Sequence, residues 1–164
     1  MALPTKILPG FSATLYAQPS ATPTPLTIAN LSTYASVSAL AISGNLVPVE
    51  AIPAFGQDDA VASFSIAGSR QSDKIPVQSA PTSMTITAAW NPSDTVLLLL
   101  RADAYNGTID RTFVISATDG TGIVNYAFNG RVSQWTIDSA PGAEAKVTFS
   151  IHPRGNQYGW SAST

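Results

Sequence analysis

The chain has 164 residues, a formal net charge of −2 and no cysteine, which fits one domain with a sizeable core and excludes disulfides and thiolate metal sites. Its 8 Lys and Arg are scattered singly, so the clustered cations that phosphate neutralisation needs are missing and nucleic-acid recognition is excluded. Charged residues are only 11% of the sequence, against about 25% in an average soluble domain; a surface this poor in charge resembles the centre of a large interface and favours an assembly subunit.

The opening residues, MALPTKILPGFSA, contain Pro4 and Pro9 and no continuous apolar stretch. They do not read as a signal peptide, and about 1–10 reads as an N-terminal arm. No run approaches the roughly 18 apolar residues of a membrane span, so no membrane insertion is expected. Strand patterns follow at 11–17, 25–30 and 35–43, with prolines that confine them to edges or shorten them. Residues 43–60 show little alternation and read as a long loop; 68–81 reads as a second arm. Strand patterns also fall at 60–67, 73–79 and 82–90.

NPSDTVLLLLRADAYNG (91–107) is the one helix signal. Asn91 suits the N-cap, Pro92 the first helical position and Asp94 the third. Gly107 suits a left-handed C-cap. The competing reading is a buried strand over TVLLLL; leucine's helix preference and the caps favour a helix over about 92–105. Projected at a helical period, Val96, Leu97, Leu100 and Ala104 form one stripe, and Leu98 and Ala102 lie on another side. That is a wider apolar arc than a surface helix carries. One side packs on the protein's own sheet. The other is covered either by a loop or by another molecule.

Later strands are clearer. TIDRTFVIS (108–116) alternates, ATDGTG (117–122) has the Asp119-Gly120 of a hairpin turn, and residues 122–138 form a long strand with a bulge or bend at Asn129-Gly130. SAPGAE (139–144) is a turn. In EAKVTFSIH, Val147, Phe149 and Ile151 alternate with polar residues. A C-terminal tail covers about 153–164, and its Trp160 docks either on its own domain or on a neighbour.

Catalytic patterns are scarce. The single histidine, His152, lacks an evident nucleophile and orienting acid. Asp58-Asp59 lacks the spacing of a calcium loop. No cofactor, metal or catalytic residue is expected.

From the Ile75-Pro76 pair through the Asn91–Asp94 helix start, the Leu/Ala helix, Asp119-Gly120 and the Phe128-x-Gly130-x-Val132 strand, the order of features resembles the tail tube proteins of phages with long non-contractile tails. The resemblance covers roughly 60–160. It departs at Val77, where the family often has glycine, and it is loose over the N-terminal third. It implies a mainly β fold of two packed antiparallel sheets, a sandwich or partly open barrel with one flanking α-helix, related to type VI secretion tube proteins. It further implies a single tail-tube domain over 1–164, assembled in the bacterial host cytoplasm and found in the virion tail. Six copies would close a ring and rings would stack into a tube that conducts DNA without binding it specifically. Tape-measure, tail terminator and distal tail proteins would be further partners. If each copy lends four strands, the inner barrel is roughly 45 Å across. Candidate inter-subunit contacts are Leu98, Ala102, Asp58, Asp59, Arg70, Lys74, Ile75, Pro76 and Trp160. Asn125, Gln134, Thr136, Thr148 and Ser150 would face either the lumen or the outer surface. The alternative function is a carbohydrate-binding β-sandwich using Tyr158 and Trp160 as sugar platforms.

Overall fold

The computed structural model describes residues 12–65, 72–118 and 122–162; at 12, 57–65, 72–80, 155–158 and 160 it describes the backbone alone. In chain order the elements are β1 (Ser12–Ala17), α1 (Ile28–Leu31), α2 (Tyr34–Ser38), β2 (Leu46–Val47), β3 (Gln57–Ser65), β4 (Ser72–Pro81), β5 (Met84–Ala89), α3 (Thr95–Asn106), β6 (Arg111–Thr118), β7 (Ile123–Asp138) and β8 (Lys146–Ala162). The N-terminal arm at 1–10, Arg70 and the Asp119-Gly120 turn lie outside the described residues.

Six strands form one antiparallel sheet in the order β2-β1-β6-β7-β8-β5, and β3 pairs with β4 in a second sheet that packs beside β8. The larger sheet curls until its ends meet. Val49, just past β2, bridges Ala88 of β5. The Glu50 N–H donates to the Thr87 carbonyl and the Ala89 N–H to the Pro48 carbonyl, each at 2.9 Å. The result is a mainly β, partly open barrel with α3 on its flank.

Period-two alternation gives every strand of the barrel an apolar inner face. Leu15, Val47, Ile86, Phe113, Ile115, Phe128, Val132, Val147, Phe149 and Ile151 share one buried cluster, to which α3 adds Val96, Leu97 and Leu100. Phe113 and Phe128 stack with centroids 5.6 Å apart.

The outer face of β6 and β7 is covered as well. Helices α1 and α2 lay Leu31 and Val37 on Val114 and Ala127, so residues 111–115 are all buried. Polar bonds fix the approach. Asn129 Nδ2 donates to the Leu26 carbonyl at 2.8 Å, and the Leu26 N–H donates to Thr112 Oγ1 at 2.9 Å. These helices occupy the segments 25–30 and 35–43 expected as strands. Helices of 4 and 5 residues do not hold in isolation. Contact with the sheet fixes them, and no local pattern announces that contact.

Helix α3 starts three residues later than its first candidate cap. Asn91 caps a turn instead: its Oδ1 accepts the Ser93 N–H at 3.0 Å and its carbonyl the Asp94 N–H at 3.1 Å. Asp94 is the N-cap, with Oδ1 accepting from Val96 N–H at 2.9 Å and Leu97 N–H at 3.1 Å. A carboxylate holding two N–H groups at the positive end of the helix dipole outcompetes the neutral amide. Pro92 accordingly lies in the turn, not in the first helical position. Gly107 ends the helix at φ 67, its N–H bonded to the Asp103 carbonyl at 2.8 Å.

The β7–β8 register shifts twice. Phe128 faces Tyr158 while Gly130 faces Pro153, so β8 bulges opposite Asn129. Beyond that bulge β8 runs on to Ala162, pairing with Val124–Phe128. Residues 153–162 are therefore strand, not tail, and the strand does not stop near Gly155. Pro153, Gly155 and Gly159 mask its alternation. The segment 68–81, expected as an arm, contributes β4. The β3–β4 register shifts beside Pro76, which has no N–H to give the ladder.

Candidate assembly surfaces

Helix α3 divides cleanly. Leu97 and Leu100 are fully buried, whereas Leu98 is 40% exposed. Ala102 is exposed beside it, and so are Arg101 and Tyr105. Tyr105 lies two turns beyond Leu98, on the same side, and is 72% exposed. The Arg101 guanidinium lies 5.8 Å from the Tyr105 ring centroid. The outward side is thus a stripe of Leu98, Ala102 and Tyr105 bordered by Arg101. Tyr105 was missing from the expected contacts, although its spacing from Leu98 points to it.

A buried ion pair locks the other side. Arg111 Nε donates to Asp103 Oδ2 at 2.6 Å, with the two side chains 1% and 3% exposed. Arg111 Nη1 also donates to the Gln18 carbonyl. The pair ties α3 to the start of β6 and the end of β1. The sequence carried a signal for it: Asp103 falls three residues after the buried Leu100, and an acid on a buried arc needs a cation.

The polar strand positions separate into two groups. Asn125 is 1% exposed and Ser150 4%, so neither presents an open polar surface. Asn125 shares its strand face with Ala127, which α1 and α2 cover. Ser150 Oγ donates to Gln134 Oε1 at 3.0 Å and lies 3.4 Å from Thr85 Oγ1. Thr136 is exposed and Thr148 half-buried. His152 completes this face, with Nδ1 2.8 Å from Ser83 Oγ and Nε2 2.7 Å from Ser133 Oγ. The middle of the face is a sheet of hydroxyls with no formal charge.

Gln134 makes this surface possible. It sits at φ 57, where Gln134 and Trp135 together oppose Phe149 alone. The extra residue turns Trp135 inward to stack on Phe149 at 5.3 Å and meet Trp90 edge-on at 5.9 Å. Ile137, opposite Val147 near the end of the strand, remains 44% exposed. Glycine tolerates the left-handed region and a β-branched residue does not. Gln134→Gly should therefore change stability by less than about 1 kcal/mol, relief of strain offsetting the lost bond to Ser150. Gln134→Val should cost about 1–3 kcal/mol. Thermal unfolding of the two variants checks the difference, and equal melting temperatures would contradict the strained bulge.

Two charge clusters lie on the β7–β8 ribbon, one near its middle beside the bulge and one at its 138–146 end. Asp110 takes Arg131 Nε on Oδ1 at 2.6 Å and Arg154 Nη1 on Oδ2. Burial alone pushes the Asp110 pKa up, but the hydrogen bonds and charges of both arginines outweigh it and hold the carboxyl below its usual range. At the 138–146 end Lys146 pairs with Glu50, and that bond, with the charges of Glu50, Glu144 and Asp138, holds the ammonium pKa up.

The remaining candidates are placed by backbone alone. Asp58 and Asp59 face Ala80 and Ser79 on the β3–β4 ladder, Lys74, Ile75 and Pro76 face Ser63, Ala62 and Val61, and Trp160 faces Tyr126. Among the described residues no group of His, Asp and Glu could hold a metal ion, and no helix is long and apolar enough to cross a membrane.

No protein-family model and no curated protein matches the chain. Its fold is similar to one in the anti-feeding prophage baseplate, solved by cryo-EM with six-fold symmetrisation: TM-score 0.62 at 10% identity, covering 98% of this chain and 97% of that one. It is also similar to the SPP1 tail tube solved by solid-state NMR and cryo-EM, with TM-score 0.53 and 11% identity over 90% of this chain and 76% of that one. A type six secretion system protein gives TM-score 0.50 and 12% identity over 92% and 83%. At these identities the likeness is one of fold.

Proposed function

We propose that this chain is a structural subunit of a phage tail tube: six copies close into a ring, and rings stack into a hollow tube that conducts DNA. The observation that carries the reading is the fold shared over 98% of this chain and 97% of its counterpart in a six-fold symmetrised baseplate. The surface supports it. The outward stripe of α3 exposes Leu98 at 40% and Tyr105 at 72%, and aromatic and arginine side chains are the usual anchors of protein interfaces. The hydroxyl face of β5, β7 and β8 suits a lumen wall, since its uncharged middle does not hold passing phosphates. Tape-measure, terminator and distal tail proteins are the partners of such a tube, and the virion tail is its location.

Leu98 tests the ring contact. Leu98→Asp should leave the far-ultraviolet circular dichroism unchanged, because the side chain is 40% exposed in the single chain. The same change should shift the size-exclusion profile from multimer toward single subunits. An unfolded variant, or a wild type that elutes only as a single subunit, would contradict the assignment.

A further inference from the structure

We propose that the β7–β8 ribbon carries a head-to-tail contact between copies of this chain, the acidic turn of one copy seating on the arginine pair of the next. The inference rests on the tube reading and specifies which surfaces meet.

The turn 138–144 is exposed throughout. Around it, Glu50, Asp138 and Glu144 act on Lys146, so three carboxylates against one ammonium leave two negative charges. Ile137, 44% exposed, adds an apolar contact. Near the middle of the ribbon, beside its bulge, one carboxylate, Asp110, lies between Arg131 and Arg154, leaving one positive charge. The Arg154 side chain is 55% exposed, open to a second acid. The turn and the arginine pair thus carry surplus charge of opposite sign.

Asp138 faces Lys146, and Arg131 faces His152, so on the order of 20 Å of strand separates the two clusters. At physiological salt the screening length is about 8 Å. Within one chain the two surpluses hardly act on each other, and they gain energy only by contact with another molecule. Ser133, Thr136, Thr148 and Ser150 between them are uncharged. A pairing that superposes like clusters sets acid on acid and arginine on arginine. Seating the turn of one copy on the arginine pair of the next matches opposite signs, and in the stacked rings of the tube reading that contact repeats head-to-tail.

The test reverses each cluster separately. Asp138→Lys with Glu144→Lys makes the turn positive; Arg154→Glu makes the arginine site negative. Sedimentation velocity at low salt should show each reversed protein assembling roughly tenfold more weakly than wild type or worse. A chain carrying all three changes should recover assembly, because the signs again match. Circular dichroism checks that each variant folds, and Arg154→Gln supplies a milder second variant with an intermediate loss. Wild-type assembly unaffected by either reversal, or no recovery in the combined variant, overturns the proposal while leaving the tube reading intact. A wild type that never assembles overturns both.

Discussion

Asp103→Ala should destabilise the fold by about 3–5 kcal/mol, the cost of leaving a buried charge without its partner. Arg111 would keep its guanidinium in a site where the side chain is 1% exposed. Its remaining bond, to the Gln18 carbonyl, does not neutralise a cation, and Nη2 has no hydrogen-bond partner among the described residues. The loss should appear as a lower urea midpoint by circular dichroism. Replacing both partners with apolar residues, Asp103→Leu with Arg111→Met, should cost much less than either single change, because no charge is then stranded. Additive losses would mean that the pair is not coupled as its 2.6 Å contact implies.

Gly159→Ala is the second large effect expected, about 1–3 kcal/mol or more from overpacking. A Cβ at this position would lie 2.7 Å from Ser32 N and closer still to the Leu31 carbonyl. Those are backbone atoms, so no rotamer change relieves the clash. Either α1 lifts from the sheet or β8 moves. Leu31 and Val37 would then lose their seat on Val114 and Ala127. Hydrogen exchange should show amides of residues 31–37 losing protection before the inner cluster does. Gly44→Ala is the control, since a Cβ there meets nothing within 4 Å. Equal melting temperatures for the two variants would contradict the close approach of α1 to β8.

The inner strands were legible because they obey a local rule. Val147, Phe149 and Ile151 alternate in sequence and are all buried in the barrel, and 122–138 was readable as one long strand. The helical projection likewise separated Leu97 and Leu100 from Leu98. Features set by distant partners were not legible. The alternation around Leu31 and Val37 looks like a strand until β6 and β7 supply the surface they dock on. Asn91 and Asp94 are both good caps, and the choice depends on which side chain reaches the helix N–H groups. The bulge at Gln134 shifts the faces, so that Trp135, on one side with Ser133 by simple alternation, turns inward while Ser133 stays on the hydroxyl face. The closure of the barrel by Val49 and Ala88 joins residues with no local pattern in common. Arg111 was overlooked because a lone arginine looks like surface charge until its acid is found.

Negative-stain electron microscopy of the concentrated wild-type protein tests the central claim most directly. The account predicts rings with six-fold symmetry, or hollow tubes built by stacking them. A uniform population of single 17.1 kDa subunits across protein concentrations and salt conditions would contradict it.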